Sequence, residues 1–554
     1  LPILTAAVAV LLRALRRRQD RGAWLALGAA VLAGCSQEVS RPPCPPGKVC
    51  LVMGNGPDPI SLDPQKITGV WEARILSDNF VGLTEDAPDG TPIPGVAERW
   101  ETSADGLTWT FHLRDSTWSD GVPVTADDFV FSLRRILDPK SAAEYASLLY
   151  FIEGAQAVNE GKAPLTALGV RALSPKTLEI RLVHPAPYLL ELTKHQTMQP
   201  VPRHVVEKWG DAWAQPAHYV SNGPYTIKVS RLGDYVKAVK NPRFYDAAGV
   251  CVDEIYYVPT TDAVQAERRV RRGELDMNAA IASNRVAFLR KEIPDYVHTH
   301  TYLTVAYLPF NADFPAFRDP RVRRALNMAV DREFIAYKLL RAGQTPAYTF
   351  VPPGVANYTP ADKPAWASWP LEKRQAEARR LLAEAGYGPG GRKLSFEIKH
   401  RGSTEVPLTI AAIQADWRAL GVDAKVVQNE TQIAYAAFRV RDFDVGDAGW
   451  VADYNDAMSF LYLMKADTGA QNYGDYRNAE YDRLLVAADN EPDVARRAAI
   501  LRQAETLFLA DDNVVTTTFG TSRNLVNPKI TGWVDNIVDR HPTRYLCVKG
   551  AKGR

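Results

Sequence analysis

Cysteine is scarce in this chain, and acidic and basic residues almost cancel. There are five cysteines among 554 residues, and 66 Lys and Arg residues stand against 64 Asp and Glu residues. So few cysteines exclude a disulfide-rich scaffold and a cysteine-rich metal protein. A net charge of +2 offers no overall electrostatic field that would attract nucleic acid or an anionic substrate. The composition, with 46% hydrophobic and 23% charged residues, is that of a globular protein. The length predicts about three or four domains, or one large multi-lobed body.

Familiar catalytic and metal-binding motifs are also missing. The sequence has no His-Glu-x-x-His motif, no Gly-x-Ser-x-Gly nucleophile elbow and no Walker A loop. Gly161-Lys162 is followed by Ala163, where a Walker A loop needs serine or threonine to bind Mg²⁺. His298 and His300 alternate along a predicted strand, but no third metal ligand accompanies them. We therefore predict no metal site and no cofactor, and the missing nucleophile–base pair favours binding over catalysis.

A basic segment and a short hydrophobic run lie near the N-terminus. Residues 1–34 contain five arginines against one aspartate, and the eleven-residue apolar run Ala23–Ala33 ends just before Gly34-Cys35. A helix of that length covers about 16 Å, too little for a bilayer core of about 30 Å. This arrangement is typical of a secretory signal peptide. Because residues 32–35 (LAGC) also resemble a lipobox, we predict a lipoprotein signal peptide over 1–34 and a lipid anchor on Cys35. A plain signal peptide with an incidental cysteine is the alternative.

A proline-rich segment follows the predicted lipobox. The run Pro42-Pro43-Cys44-Pro45-Pro46-Gly47 can enter neither a helix nor a central strand, so residues 36–50 are predicted to be a stiff tether. Cys44 and Cys50 could close a small loop, and Cys251 and Cys547 could join distant segments, in the oxidising compartment that export implies. The sequence leaves the pairing of these four cysteines open.

The body of the chain alternates predicted strands and helices. Residues 109–113 and 178–182 alternate apolar and polar side chains, as half-buried strands do. A capping-box-like pattern over 125–128 precedes an amphipathic run, and Asp319-Pro320 opens a second helix. A third helix is predicted over 371–385. This mixture predicts an α/β protein with several lobes.

Several sequence blocks, in order, resemble the family 5 extracellular solute-binding proteins, which are substrate-binding subunits of ABC importers for peptides, nickel and related solutes. The blocks are PGVAERW (94–100), WTFHLR (109–114), WSDGVPVTADDF (118–129), NGPY (222–225), DPRVRRAL (319–326) and LLAEAGY (381–387). The block GWVADYN (449–455) is most similar to the oligopeptide-binding branch. The resemblance extends from about residue 51 to the C-terminus.

The resemblance implies an α/β, type II (cluster C) periplasmic-binding-protein-like fold, with two lobes closing on a buried cleft and an extra inserted α/β domain. Carried over to this sequence, the first lobe comprises 51–80, 205–303 and 521–554. The inserted domain comprises 81–204, and the second lobe comprises 304–520. We expect a monomeric lipoprotein in the periplasm or at the cell surface that captures oligopeptides for ABC permease subunits and binds no nucleic acid.

The resemblance also implies that a peptide lies as an added strand between the lobes and pairs with protein main chain. The segments at the matching positions are Thr68-Gly69-Val70 and Gly449-Trp450-Val451. Asp453 matches an aspartate that pairs with the peptide α-ammonium, and a desolvated ammonium requires such an opposite charge. Tyr145 matches a position of the inserted domain that reaches the ligand. A turn-capping role for Asp453 and a core role for Trp450 are the alternatives.

Two positions depart from the oligopeptide-binding pattern. Asp447 stands where such proteins can carry an arginine that meets a peptide carboxylate, and Thr431 stands where some relatives have tryptophan. Asp447 and Asp453 would share the cleft face of a strand. This favours a ligand with a basic or amidated far end, a longer peptide or a cell-wall peptide over a short acidic one, and Thr431 predicts a roomier or more polar pocket. The alternatives are a non-peptide ligand on the same fold (metal chelate, haem, sugar or cell-wall conjugate) and an extracytoplasmic hydrolase with an unrecognised site.

Overall fold

A mixed sheet of nine strands dominates the computed structural model, which describes residues 41–403 and 405–550. The predicted signal peptide and the predicted lipidation site Cys35 lie outside the described residues. From one edge to the other, the sheet contains Ala448–Val451, Val297–Pro309, Val514–Val526, Met277–Asn278, Cys50–Gly54, Glu254–Val258, Tyr235–Lys240 and Tyr225–Arg231, and Thr345–Pro346 pairs with Val514–Val526.

The part of the molecule that we call the first lobe contains the strands from Met277–Asn278 to Tyr225–Arg231 in that order. Helices Ala263–Arg271 and Ser283–Glu292 pack against one face of this sheet through Ala266, Val270, Val286 and Leu289. Helix Val70–Ser77 contributes Ile75 and Leu76 to a core on the same strands. A further helix, Arg203–Trp209, leads into the first lobe. Two short strands near its C-terminal end, Ile530–Thr531 and Cys547–Val548, pair with each other.

The inserted domain is a four-stranded antiparallel sheet covered by one amphipathic helix. Its strands, in spatial order, are Ala97–Thr102, Thr108–Leu113, Thr177–Arg181 and Val170–Ser174. The helix Ala126–Leu137 begins with the expected capping box, in which the amide of Thr125 donates to the Asp128 carboxylate at 2.9 Å. Trp109, Phe111 and Leu113 are buried while the residues between them are partly exposed, so both predicted strands are confirmed. Smaller elements are Thr84–Asp86, Pro92–Pro94, Ala155–Asn159 and Leu189–Leu192.

The second lobe carries a three-stranded parallel sheet in the order Asp423–Asn429, Ser395–Arg401, Val445–Gly446. The predicted helix at Asp319-Pro320 spans Pro320–Ala329, and the helix predicted over 371–385 spans Leu371–Glu384. Both pack into a core with Ile398, Ile410 and Trp417. The remaining helices of this lobe are Val406–Arg418, Thr431–Arg439, Met458–Leu461, Ala479–Asp489, Val494–Ala510 and the π-helix Phe334–Leu340.

Two long antiparallel strands, Val297–Pro309 and Val514–Val526, connect the lobes, and we call them the crossing strands. Their register shifts between Thr301 and Val305 and again after Ala306. A side chain at Gly520 would begin 2.2 Å from the Thr304 methyl carbon, so glycine permits the close approach of the strands here. The irregular stretch includes two of the four predicted boundaries, 303/304 and 520/521, and all four stay predictions.

Two disulfides link cysteines whose pairing the sequence leaves open. Cys44 and Cys50 are bonded with their Cα atoms 5.8 Å apart, and Cys251 is bonded to Cys547 with a Cα separation of 5.3 Å. Cys50 already belongs to the large sheet, so the last residue of the predicted tether 36–50 lies in a strand. Within the ranges 41–403 and 405–550, no helix combines the length and apolar character that crossing a membrane requires.

Candidate functional site

The strand Ala448–Val451, which we call the edge strand, forms one margin of the nine-stranded sheet. It is antiparallel to the crossing strand Val297–Pro309, with Gly449 opposite Ala306. Its other side pairs with no strand in the described part of the chain. An unpaired sheet margin presents a row of main-chain donors and acceptors to which an extended segment can add.

The hydrogen-bond pattern shows which residues of the edge strand point outward. The Ala452 amide donates to the Leu303 carbonyl at 2.9 Å, so this residue faces the crossing strand. Because facing alternates along antiparallel strands, the main-chain groups of Gly449 and Val451 point to the open side. Two residues predicted to bind ligand through main chain therefore present these groups at the free margin. Trp450 points its main chain inward, and its half-buried ring packs against the core of the second lobe.

The second predicted main-chain segment, Thr68-Gly69-Val70, begins a helix instead of forming a strand. The Gly69 amide donates to the Glu72 carboxylate at 3.0 Å, and the Gly69 carbonyl accepts from the Ala73 amide at 3.0 Å. In the described residues, the Thr68 carbonyl and the Val70 amide have no hydrogen-bond partner, and both residues are exposed. These two groups flank Gly69 as the acceptor and donor of a single parallel β-bridge do.

Asp453 follows the edge strand and carries a half-buried carboxylate without a counter-charge. Its Oδ1 accepts a hydrogen bond from the Tyr145 hydroxyl at 3.4 Å, and its amide donates to Ser459 Oγ at 3.1 Å. No basic side chain of the described residues forms an ion pair with it, and Arg540, whose charge acts on it, pairs with Asp86 at 3.5 Å. Burial raises the pKa of Asp453 to about 7, although the Tyr145 hydroxyl and Arg540 lower it. A cation brought to this carboxylate would restore its ionised form.

The Tyr145 hydroxyl that donates to Asp453 is a neutral group. The charge of Asp453 and burial both raise the pKa of Tyr145 well above its ordinary value, so its hydroxyl keeps its proton. The His195 ring centre lies 5.9 Å from that of Tyr145. Burial, with the charges of Arg540 and Lys194, lowers the pKa of His195 well below its ordinary value, so the ring is uncharged. Sequence reasoning identified Tyr145 but missed His195 and Arg540, for which no local motif gave a signal.

Asp447, predicted to share the cleft face of a strand with Asp453, is buried and paired with an arginine. Arg401 Nε lies 2.8 Å from Asp447 Oδ2, and Arg401 Nη1 donates to the Tyr435 hydroxyl at 2.8 Å. Arg401 Nη2 lies 3.7 Å from the point where a side chain at Gly449 would begin. The strand Ser395–Arg401 thus supplies a counter-charge to Asp447 that the sequence pattern did not indicate. The predicted preference for a ligand with a basic or amidated far end rested partly on Asp447, and the pairing of its carboxylate with Arg401 weakens that support.

Thr431 lies in the first turn of the helix Thr431–Arg439, the helix that also carries Tyr435. Its Oγ1 donates to the Gly402 carbonyl at 3.4 Å, and the residue is partly exposed. Whether it lines a ligand pocket stays a prediction.

A cavity of 330 Å³ lies over the crossing strands and is walled by both lobes. Thr304 and Ala306 line it, and these residues stand directly opposite Val451 and Gly449. Directly opposed residues project their side chains from the same face of a sheet. A strand added to the edge strand would therefore direct alternate side chains towards the face that this cavity occupies.

The described residues contain no group of three or more His, Cys, Asp or Glu side chains placed to hold a metal ion. His298 Nδ1 lies 3.2 Å from Asp535 Oδ1, while His300 Nδ1 lies 2.9 Å from the Thr301 carbonyl. These two histidines are thus engaged with different partners.

Residues 91–472 match the family described as "Bacterial extracellular solute-binding proteins, family 5 Middle". Over 510 residues the chain is 39% identical to the periplasmic oligopeptide-binding protein OppA of Escherichia coli (strain K12), covering 90% of this chain and 93% of that protein.

Solved structures are similar over nearly their whole length. Haemophilus influenzae OppA in complex with RPPGFSPFR is 33% identical, with a TM-score of 0.82 over 90% of this chain and 99% of that chain. The Escherichia coli murein tripeptide binding protein MppA is 33% identical, with a TM-score of 0.83 over 90% and 98% of the two chains. An unliganded open form of MppA, also 33% identical and covering 90% and 97%, gives 0.74. The present conformation is thus less similar to the open form than to the other MppA structure.

Proposed function

The chain belongs to the family 5 bacterial extracellular solute-binding proteins, and we propose that it captures oligopeptides outside the cytoplasm and delivers them to the permease of an ABC importer. The family and the matching relatives are binding proteins and not enzymes. The observation that carries the proposal is the carboxylate of Asp453, which lacks a counter-charge and adjoins an unpaired sheet margin.

The α-ammonium of the peptide pairs with the carboxylate of Asp453, while the Tyr145 hydroxyl donates a hydrogen bond to the same carboxylate. A buried carboxylate whose pKa is raised gains most from a cation, because ion pairing offsets its desolvation. A free N-terminus is common to unmodified peptides of any sequence, so this anchor is selective for peptides without selecting side chains.

The peptide main chain pairs with the outward groups of Gly449 and Val451, and one peptide residue bridges the Thr68 carbonyl and the Val70 amide around Gly69. Every peptide residue except proline offers the same N–H and C=O groups, so this pairing tolerates varied sequences. Alternate side chains enter the 330 Å³ cavity beside Thr304 and Ala306. Thr431 and the Arg401–Asp447 pair border the ligand further along.

The wider assignment rests on the relatives and on the N-terminal sequence. The matching OppA proteins are periplasmic and oligopeptide-binding by name, and one of them is in complex with the nonapeptide RPPGFSPFR. We place this protein in the periplasm or at the cell surface, as a monomer anchored through lipidated Cys35. We retain lobe boundaries at 80/81, 204/205, 303/304 and 520/521, where the register shift of the crossing strands supports the last two.

Calorimetry with peptides tests the proposal. A panel of tri-, tetra- and pentapeptides is titrated into the protein, each with a free and with an acetylated N-terminus. We expect binding of free forms, a loss of at least thirty-fold on acetylation, and the same loss for free forms in Asp453→Asn. Charge-paired hydrogen bonds in closed sites are worth about 2–5 kcal/mol. Asp467→Asn, a paired but exposed aspartate of the second lobe, is the matched control.

Failure is recognisable in the same experiment. Equal affinity for free and acetylated peptides would contradict the Asp453 anchor, and absence of binding across the panel would contradict the peptide assignment. Mass spectrometry of ligand released on mild denaturation would then identify a haem, chelate or sugar conjugate. Cleavage products in the peptide titrations would instead favour a hydrolase.

A further inference from the structure

Glu405 reaches from the second lobe into the first lobe. It precedes the helix Val406–Arg418 and lines the 330 Å³ cavity. Its Oε1 lies 2.7 Å from Nη1 of Arg523, which stands on the first-lobe half of a crossing strand. Burial opposes ionisation, yet Arg523 and Ser283 outweigh it and lower the pKa of Glu405. The carboxylate is therefore held charged between the two lobes.

The first lobe surrounds this carboxylate with donors. Ser283, at the start of the helix Ser283–Glu292, donates its hydroxyl and, at 3.3 Å, its amide to Glu405 Oε1. Arg523 Nη1 also contacts Ser283 Oγ, and Gln344 Nε2, from the second lobe, donates to that oxygen at 3.2 Å. A guanidinium, a hydroxyl and a helix N-terminus together form a carboxylate site. Its occupant in this structure is a side chain of the opposite lobe.

The second guanidinium near the cleft is occupied in the same way. Arg401, beside Gly449, is engaged by the buried carboxylate of Asp447. Arg401 and Asp447 belong to one lobe, so their pairing does not depend on closure. Glu405 and Arg523 belong to different lobes, so closure itself brings that carboxylate to its site.

We propose that Glu405 and Asp447 are internal substitutes for a ligand carboxylate, so that this receptor accepts N-free peptides whether or not their C-terminus is a free carboxylate. This inference rests on the proposed function and specifies its ligand class. Both guanidiniums are neutralised by the protein, and a peptide carboxylate gains nothing that a peptide amide lacks. Peptides that are amidated, extended or cross-linked at the C-terminus should therefore bind as tightly as short peptides with a free C-terminal carboxylate.

Matched pairs of peptide acids and peptide amides test the proposal. Tri-, tetra- and pentapeptides, each with a free N-terminus, are titrated as acid and as amide. We expect affinities within about three-fold of each other for each pair in the unsubstituted protein. The Glu405→Gln variant keeps the Arg523 guanidinium in position but removes the carboxylate that neutralises it. The Asp447→Asn variant does the same for Arg401. We expect at least one variant to favour the acid by ten-fold or more, because a freed guanidinium then binds a carboxylate.

The control is Glu480→Gln, which removes an exposed glutamate paired within the second lobe and should leave the acid-to-amide ratio unchanged. A ten-fold preference for the acid in the unsubstituted protein would overturn the proposal, as would unchanged ratios in both variants. The acid-to-amide ratio is measured on one variant at a time, so a substitution that weakens binding of both forms equally leaves this ratio unchanged. If no peptide binds in either form, or acetylation has no effect, the proposed function fails instead.

Discussion

The hydroxyl of Tyr145 donates to Oδ1 of Asp453 across 3.4 Å, and this bond joins the inserted domain to the second lobe. The two residues are 308 positions apart in the chain. Next to them, Tyr188 of the inserted domain stacks on Tyr454, with ring centres 4.9 Å apart. The carboxylate that we assign to the peptide ammonium therefore adjoins a contact between two parts of the molecule. Occupation of Asp453 and closure around the ligand are expected to favour each other.

The affinity for peptides should depend on pH through Asp453. Its pKa of about 7 means that most molecules carry a neutral carboxyl at pH 6, whereas ion pairing with an ammonium requires the charged form. The peptide α-amino group loses its proton near pH 8, at a pKa of about 7.7–8.0. Affinity should therefore rise from pH 5 to pH 7, remain high to about pH 8 and fall above it.

Proton release on binding tests directly whether the ionisation of Asp453 causes this pH dependence. At pH 6 each bound peptide should release close to one proton, measured by calorimetry in buffers of different ionisation enthalpy. The released proton should vanish in Asp453→Asn. A flat affinity between pH 5 and pH 7, with no proton released, would show that Asp453 does not meet the ammonium.

Removal of the Tyr145 hydroxyl should weaken binding most strongly at low pH. The hydrogen bond from Tyr145 lowers the pKa of Asp453, so Tyr145→Phe should move that pKa above 7. The lost bond is worth about 1 kcal/mol, which is roughly a five-fold loss of affinity at pH 8. At pH 6 the loss should be larger, and calorimetry at the two pH values measures the difference. Tyr150→Phe is the control, because the Tyr150 hydroxyl bonds Asn159 within the inserted domain. Equal losses at both pH values would contradict the coupling.

Without ligand, Asp453 should cost stability that asparagine does not. Its pKa rises on folding from an ordinary 3.8 to about 7, so the folded protein binds one more proton than the unfolded chain between these values. The free energy of unfolding is therefore not reduced by Asp453 below about pH 4, where the carboxyl is protonated in both states. It falls as the pH rises from 4 to 7, because only the unfolded chain ionises freely in that range. Asp453→Asn should be more stable than the unsubstituted protein by roughly 2–4 kcal/mol at pH 8. Urea unfolding at pH 5 and pH 8 measures the difference, and a variant less stable at pH 8 would contradict it.

Local patterns were sufficient to predict much of the fold. Strands 108–113 and 177–181 and the helix after Thr125 depend on alternation and capping, which involve neighbouring residues only. The two-lobed fold came from ordered blocks that resemble a family. The prediction for Asp453 had the same source, and its raised pKa depends on burial that a linear pattern does not show.

Charge pairing across the chain could not be predicted in this way. The ion pair of Asp447 was not predicted, because its partner Arg401 lies 46 positions away in the chain. Glu405 drew no attention because Arg523 is 118 positions distant and becomes its neighbour only when two lobes meet. The main-chain role of Thr68-Gly69-Val70 was implied by the family resemblance, which gave no sign that the carboxylate of Glu72 makes this segment a helix start.

The two disulfides should contribute unequally to stability. Cys44 and Cys50 are six positions apart, while Cys251 and Cys547 are 296 apart. Closing a loop removes entropy from the unfolded chain that grows with the logarithm of the loop length, which gives about 2 kcal/mol for the short loop and about 6 kcal/mol for the long one. The long-range bond also holds the C-terminal segment in which Thr543 donates to buried Asp78. Urea unfolding of the two double cysteine-to-serine variants should therefore show the larger loss for Cys251 and Cys547, and an equal or reversed order would contradict the chain-entropy explanation.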